Sequence, residues 1–167
     1  MSSSLPSGWE ERMSKSHAGR AYYVNRFTGE TTWDVPTEPA VDNRSKLEQV
    51  QALHILKKHN GSRRPSSWRC TQITQSKEES IQQINRIRTQ LEQVLNQQGY
   101  EAMLALFKQI ASVESDCSSA ERGGDLGKFG RGQMQRAFEE ASFSLGVQGL
   151  SGIVDTDSGI HVILRIA

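Results

Sequence analysis

Residues 50–68, VQALHILKKHNGSRRPSSW, join a predicted strand to a strongly basic loop. The first eight residues alternate in character, which predicts a β-strand with one face formed by Val50, Ala52, His54 and Leu56. The loop then brings together a lysine, a histidine and two arginines, while no Asp or Glu occurs between Glu48 and Glu78. Cations left without acids indicate a site for a small anion.

The composition of the whole chain argues against several classes of partner and cofactor. The 167 residues carry a net charge of +1, with 35% hydrophobic residues and a mean hydropathy of -0.58. Near-neutrality argues against coating of nucleic acid or membrane, which needs a basic surface. Residues 1–6 are polar, so we expect no signal peptide. The two cysteines, Cys70 and Cys117, lack metal-ligand spacing, and we expect neither metal, cofactor nor disulfide.

The N-terminal segment, residues 5–38, is aromatic and rich in turns. WEERMS, RAYYVN and TTWD predict three brief antiparallel strands, with Gly29 supplying the left-handed residue of the second turn. Residues 39–49 are polar and contain Pro39, which predicts a flexible linker. The rest of the chain, residues 50–167, is then a second domain.

The second domain combines strands at its two ends with helices between them. Ser76 stands three residues before Glu79 as a capping box, and the apolar spacing after it predicts a helix to about Gln98, ended by Gly99. YEAMLALFKQI predicts a second helix and QMQRAFEEASFSL a third, and GIHVILRIA predicts the closing strand. The fold class is α+β, with helices packed on an antiparallel-type sheet.

The spacing of aromatic residues in the first segment resembles that of the WW domain. The residues that carry the resemblance are Trp9, Tyr22, Tyr23, Asn25, Trp33 and Pro36. The resemblance implies binding of proline-rich or phospho-Ser/Thr-Pro peptides, with Tyr22 and Trp33 forming an aromatic slot. Strand alternation places Tyr22 and Tyr23 on opposite faces. The alternative is that the slot residues are simply partly buried core aromatics.

Phosphopeptide-binding WW domains carry a serine and a basic residue in the first loop. Ser14 and Lys15 match them, and Arg12 stands just before. Two features depart from the family pattern: Lys15 replaces the usual arginine, and the loop is one residue longer. A lysine offers phosphate a point charge without the fork of an arginine.

Three longer stretches resemble the parvulin family of peptidyl-prolyl cis-trans isomerases. They are LHILKKHNGSRRPSSWR, SDCSSAERGGDLGKFGRGQMQRAFEEASFSL and TDSGIHVILR. With a WW domain in front, the chain resembles a phospho-Ser/Thr-Pro-specific parvulin. It departs from the family between Arg86 and Val113, where it carries extra helical residues, and at Ala137 and Ile153, which replace prolines.

The resemblance implies three groups of site residues. The substrate phosphate would bind Lys58, Arg63 and Arg64. The proline pocket would consist of Leu126, Met134 and Phe138, with Gln135 as a backbone contact. The catalytic centre would comprise Cys117, His54, His161, Ser158 and Thr156. Taken alone, such a basic loop is more often a solvated loop or a nuclear-import patch, and such apolar residues are more often plain core.

The roles of the cysteine and the histidines stay open at this point. Cys117 could be a nucleophile, but we expect an electrostatic role because rotation about an amide needs no covalent intermediate. His54 and His161 could act directly or only orient the site.

The alternatives to a phosphorylation-dependent isomerase are a non-catalytic phosphopeptide adaptor and, less favoured, a nucleic-acid reader. Expected partners are phosphorylated Ser/Thr-Pro proteins, such as the C-terminal repeats of RNA polymerase II, in the nucleus and cytoplasm. We expect no nucleic-acid or membrane partner.

Overall fold

A computed structural model describes residues 4–167, so positions 1–3 of the polar N-terminus lie outside the described residues. The N-terminal sheet consists of β1 (Trp9–Met13), β2 (Ala21–Asn25) and β3 (Thr31–Thr32), paired antiparallel in that order. The three short strands predicted from the sequence are confirmed.

The second turn of this sheet is fixed by one buried side chain. Asn25 accepts hydrogen bonds at Oδ1 from the backbone N–H groups of Phe27 (2.9 Å) and Thr28 (3.2 Å). Gly29 follows with φ of +78°, a left-handed conformation that glycine adopts without strain. The two faces of the sheet differ, since Tyr23 is buried while Trp33 is 41% exposed.

Residues 39–49, predicted as a flexible linker, contain a short 3₁₀ turn at Arg44–Lys46. The guanidinium of Arg44 donates to the Ser144 carbonyl at 2.6 Å and lies 4.7 Å from the ring centroid of Phe27. One side chain of this segment therefore contacts both the N-terminal sheet and the second domain.

The second sheet has four strands in the order β5-β4-β7-β6, all antiparallel to their neighbours. They are β4 (Gln49–Lys57), β5 (Asp125–Gly130), β6 (Val154–Thr156) and β7 (Gly159–Arg165). The first and last of these in sequence match the predicted strands, whereas β5 and β6 were not predicted. Along β4, Val50 and Ala52 face one core cluster and Leu53 and Ile55 the other, as the alternation predicted.

The three predicted helices are α1 (Lys77–Gln98), α2 (Tyr100–Glu114) and α3 (Arg136–Ser144). Ser76 is confirmed as the N-cap of α1, where its Oγ accepts the Glu79 N–H at 3.2 Å, which is one of the two hydrogen bonds of the predicted capping box. The third helix begins later than predicted, so Met134 and Gln135 precede it rather than lying on its face. No helix within residues 4–167 combines the length and apolar character needed to cross a bilayer.

Helices cover both faces of the four-stranded sheet. On one face, α1 and α2 bury the larger core, which includes Ile84, Leu91, Met103, Phe107, Leu53, Ile55, Val162 and Leu164. On the other face, α3 packs Phe138 and Phe143 against Val50, Ala52 and Ile163. His54 and His161 alternate with residues of the larger core, so both imidazoles lie on the α3 face.

Candidate active site

Two buried histidines form the centre of the α3 face. His54 on β4 pairs across the sheet with Ile163, which places His161 of β7 on its diagonal. The two rings stack with centroids 5.2 Å apart, and their Nδ1 atoms are 3.0 Å apart. A hydrogen bond between two Nδ1 atoms requires one of them to carry the proton. Burial, and then the charge of His54, hold the pKa of His161 well below its ordinary value.

A chain of polar side chains continues from the second histidine towards the surface. His161 Nε2 lies 2.7 Å from Thr156 Oγ1, which also accepts the backbone N–H of Ser158 at 3.2 Å. Gln135 donates through Nε2 to Ser158 Oγ at 2.8 Å and accepts the Asp157 N–H at 3.0 Å. The β6–β7 turn is therefore held in place by both the nitrogen and the oxygen of the Gln135 side-chain amide.

The Cys117 thiol lies half-buried beside the imidazole of His54. Burial alone raises the pKa of this thiol, but His54 and the Ser119 N–H, 3.5 Å from Sγ, lower it more, to about 6. His54 Nε2 has no hydrogen-bond partner among the described residues, so we attribute the effect of the imidazole to its charge rather than to a formed bond. A pKa of about 6 makes the thiolate the main form at neutral pH.

Apolar side chains lie next to this polar centre. The Phe138 ring stands edge-on to both imidazoles, with centroids 5.3 Å from His54 and 5.2 Å from His161. Leu126 and Met134 are partly buried and pack against the same cluster as Phe138. The three predicted pocket residues therefore lie in one cluster that borders the histidine pair.

The basic loop is tied to both sides of this centre. A buried carboxylate, Asp116, accepts the Lys58 N–H and the Ser67 hydroxyl, each at 2.9 Å, and lies 3.6 Å from the Arg69 guanidinium. On the other side, the backbone N–H of Arg63 donates to the Asp157 carbonyl at 2.7 Å. The loop thus joins the residue before Cys117 to the residue before Ser158.

The cationic side chains of this loop differ in how many hydrogen bonds and ion pairs they already form. Lys58 Nζ donates to the Ser66 carbonyl at 2.8 Å, which leaves two of its three protons for another acceptor. Arg63 and Arg64 are exposed, and neither forms an ion pair with any acid in residues 4–167. The acid that enters the loop binds Arg69 instead, so both arginine forks stay available to an anion.

One glycine allows the turn after Cys117 to approach the first histidine. Gly124 has φ of +88°, and a Cβ built on it would lie 2.5 Å from the His54 carbonyl oxygen. Its own carbonyl accepts the His54 N–H at 3.0 Å. The close approach of these two backbones fixes the position of the strand that carries His54, and only glycine fits there.

The N-terminal sheet carries a second candidate site. The rings of Tyr22 and Trp33 lie 5.8 Å apart at 59°, and His17 and the Arg20 guanidinium also pack on Trp33, at 5.0 Å and 4.9 Å. The predicted aromatic pair is therefore brought together on the surface.

The predicted polar residues near this pair differ in their contacts. Arg12 is bound to Glu10 at 3.0 Å and to Gln148 of the second domain. Ser14 Oγ accepts the His17 N–H at 3.2 Å, and Lys15 is exposed without an ion pair among the described residues. Lys15 is the cation of this group that is free to bind a ligand.

Comparison with known proteins decides the family. The PPIC-type PPIASE domain (rotamase) matches residues 54–167, and the WW domain matches residues 5–36. The Drosophila melanogaster protein dodo is 51% identical over 98% of this chain and 96% of its own length. The Saccharomyces cerevisiae peptidyl-prolyl cis-trans isomerase ESS1 is 41% identical over 97% and 94%.

This chain belongs to the parvulin family. The solved structure of the Candida albicans peptidyl-prolyl isomerase ESS1 agrees with a TM-score of 0.65 at 37% identity, covering 98% of this chain and 96% of that one. The protein is a WW-domain-containing parvulin of the Pin1/ESS1 type, and it is a peptidyl-prolyl cis-trans isomerase.

The parvulin domain also uses residues that the sequence did not single out. Asp116 and Arg69 hold the basic loop, and the Trp68 indole N–H anchors it further by donating to the Ser115 carbonyl at 2.9 Å. The only feature of the sequence that could have pointed to Asp116 was its position next to Cys117. In the WW domain, His17 and Arg20 were missed because their contact with Trp33 depends on the turn between β1 and β2.

No group of three or more His, Cys, Asp or Glu side chains in the described part of this parvulin is arranged to hold a metal ion.

Proposed function

We propose that this parvulin isomerises Xaa-Pro bonds in which Xaa is phosphorylated serine or threonine. The observation that carries the proposal is that Arg63 and Arg64 have no acidic partner within residues 4–167 and lie on a loop bonded to Asp157 of the β6–β7 turn. A phosphoserine carries about −1.5 to −2 charge at neutral pH, and arginine forks bind such oxygens through charge-assisted hydrogen bonds. The phosphate would lie on Arg63 and Arg64, with the two remaining protons of Lys58 nearby.

The proline would occupy the apolar cluster of Leu126, Met134 and Phe138. Two attachment points, one for the phosphate and one for the proline ring, hold the residues on either side of the amide. The barrier to be lowered is about 18–20 kcal/mol, and it arises from the loss of amide conjugation on twisting. Fixing both ends in a geometry near the twisted amide contributes to catalysis without any bond being broken.

The Cys117 thiolate would act on the amide through its charge. In the planar amide the carbonyl oxygen carries extra negative charge, whereas in the twisted amide that charge returns to the nitrogen. A negative sulfur close to the carbonyl disfavours the planar form more than the twisted one, so the barrier falls. The neutral His161 and its bond to Thr156 would keep His54 oriented beside the sulfur.

The WW domain would bind the same class of sequence. An aromatic pair 5.8 Å apart provides a slot for a proline ring, and the exposed Lys15 provides the nearby positive charge. A protein with several Ser-Pro sites could then occupy both domains at once, which raises its apparent affinity. The phosphorylated C-terminal repeats of RNA polymerase II are such a sequence, and a nuclear and cytoplasmic location of this chain would fit them.

A paired-substrate assay tests the proposal. Protease-coupled isomerisation would be measured on two peptides that differ only in phosphorylation of the serine before proline. We expect kcat/KM to be at least about 100-fold higher for pSer-Pro, since the two arginine contacts contribute about 1.5–3 kcal/mol each. Equal values on the two peptides would leave an isomerase without phosphate specificity, and no turnover of either would favour an adaptor.

A further inference from the structure

A buried lysine ends in a cleft that the proposed mechanism does not use. Lys57, the last residue of β4, is 5% exposed and forms no ion pair or hydrogen bond through Nζ with the described residues. The cleft is open, measures about 430 Å³, and lies between the middle of α1, residues 69–75 and the end of α2. The aliphatic stem of Lys57 is buried, whereas its ammonium reaches the open cleft and has no partner among the described residues.

The charges around this cleft leave an excess of cations. Lys57, Arg69 and Arg86 line it together with two acids, Glu114 and Asp116. Asp116 is already paired with Arg69 and bonded to two further donors of the basic loop, so among the residues that line the cleft Glu114 is the acid left to balance Lys57 and Arg86. Burial, and then the charge of Arg69, lower the pKa of Lys57, while both acids act in the opposite direction.

We propose that this cleft is a second anion site, which binds a small phosphate-type oxyanion between Lys57, Arg69 and Arg86. Such an anion would give the Lys57 ammonium a partner and would offset the repulsion between Lys57 and Arg69. Polar side chains of Gln72, Thr74 and Gln90 also line the cleft and can donate to the remaining oxygens.

The cleft is separate from the substrate-phosphate site but is connected to it. None of Lys58, Arg63 and Arg64 lines it. Arg69 lies in the cleft and 3.6 Å from Asp116, the residue before Cys117, and Asp116 also holds the Lys58 N–H. An anion that binds Arg69 in the cleft would therefore compete with the carboxylate that holds the basic loop.

The test is a titration of the full chain with inorganic phosphate, followed by amide NMR signals. The parent would carry Arg63→Ala and Arg64→Ala, so that the substrate-phosphate site is removed. Potassium chloride at equal ionic strength serves as the reference. We expect the signals of Thr74, Gln75 and Ile87 to shift and saturate with phosphate but not with chloride.

Single substitutions in this parent then decide whether the cleft is the site. Lys57→Met should weaken phosphate binding by at least about tenfold, because it removes a desolvated charge. Glu114→Gln should strengthen binding, since it removes an opposing acid. Lys46→Met, which removes an exposed charge from the interdomain segment, should leave it unchanged.

Because Lys57→Met replaces a buried side chain, the exposed Arg86→Gln provides a second variant, and it should also weaken binding. Unaltered binding in Lys57→Met and Arg86→Gln would overturn the proposal. So would weaker binding in Glu114→Gln, or shifts of equal size with chloride. These results are independent of whether the isomerase requires a phosphorylated substrate, because no peptide substrate is present.

Discussion

Replacing His54 with leucine should raise the pKa of the Cys117 thiol and thereby remove most of its thiolate at neutral pH. With its pKa at about 6, the thiol is ionised to about 90% at pH 7. Without the imidazole, burial is opposed only by the contact from Ser119. A thiol at its ordinary pKa of about 8.5 is ionised to about 3% at pH 7. We therefore expect the thiolate fraction to fall by at least about tenfold.

Ultraviolet absorbance of the thiolate, recorded between about pH 4 and 10, measures this pKa directly. A Cys70→Ser background leaves Cys117 as the one thiol, and the Cys117→Ser variant of that background supplies the blank. A midpoint near 6 in the parent and a clearly higher midpoint with His54→Leu would confirm the account. A parent midpoint near the ordinary thiol pKa would contradict the effect assigned to His54. So would a midpoint that His54→Leu leaves unchanged.

The same pKa sets the sign of two pH effects. If the thiolate is the active form, kcat/KM should rise between pH 5 and 7, measured on a Glu-Pro peptide whose own carboxylate is already about 80% ionised at pH 5. Because the folded-state pKa lies below the unfolded value, ionisation of Cys117 stabilises the fold fully above about pH 8.5. That contribution is lost as the pH falls through about 6.

Three further pairs of substitutions test catalysis, peptide binding and stability. Cys117→Asp should retain a much larger kcat/KM than Cys117→Ala, because aspartate keeps a negative charge at the site. If both variants fold and both lose nearly all activity, a nucleophilic cysteine is favoured instead. Trp33→Ala should weaken binding of a phosphopeptide by the WW domain without changing turnover of short peptides, whereas Val35→Ala, also at an exposed position, should change neither. Gly124→Ala should cost about 1–3 kcal/mol of unfolding free energy from backbone strain, plus the clash with the His54 carbonyl. Gly99→Ala also places a side chain at a positive φ (+91°) but in open space, so a loss as large as that of Gly124→Ala would contradict the clash.

The sequence predicted the long elements well because their signals are local. The capping box at Ser76, the helix end at Gly99 and the alternation along β4 each depend on neighbouring residues. In contrast, β6 has three residues, too few for a periodic pattern, and β5 contains two glycines and pairs across a register shift next to Gln51. The predicted start of the third helix was too early. Met134 continues the apolar spacing of the helix, although the backbone of Met134 precedes the first helical turn.

The family motifs predicted the candidate site residues, which the structure brings together, but they did not predict the residues that support them. Asp116 is recognisable as important only once three donors from a loop about fifty residues earlier in the chain are seen to converge on it. The sequence also did not predict that Lys57 is buried. Strand alternation assigns its side chain to one face of the sheet but does not show which residues cover that face. The contact between Arg12 and Gln148 joins two domains and has no local signal.

The most direct measurement is the ratio of kcat/KM for pSer-Pro over Ser-Pro peptides in the Arg63→Ala, Arg64→Ala double variant. Two charge-assisted contacts of about 1.5–3 kcal/mol each are lost, and the exposure of both arginines favours the lower end, about 3 kcal/mol in total. We predict that the ratio falls by about 100-fold relative to the unsubstituted protein, with little change on the unphosphorylated peptide. An unchanged ratio, or an equal loss on both peptides, would contradict the assignment of the basic loop as the phosphate site.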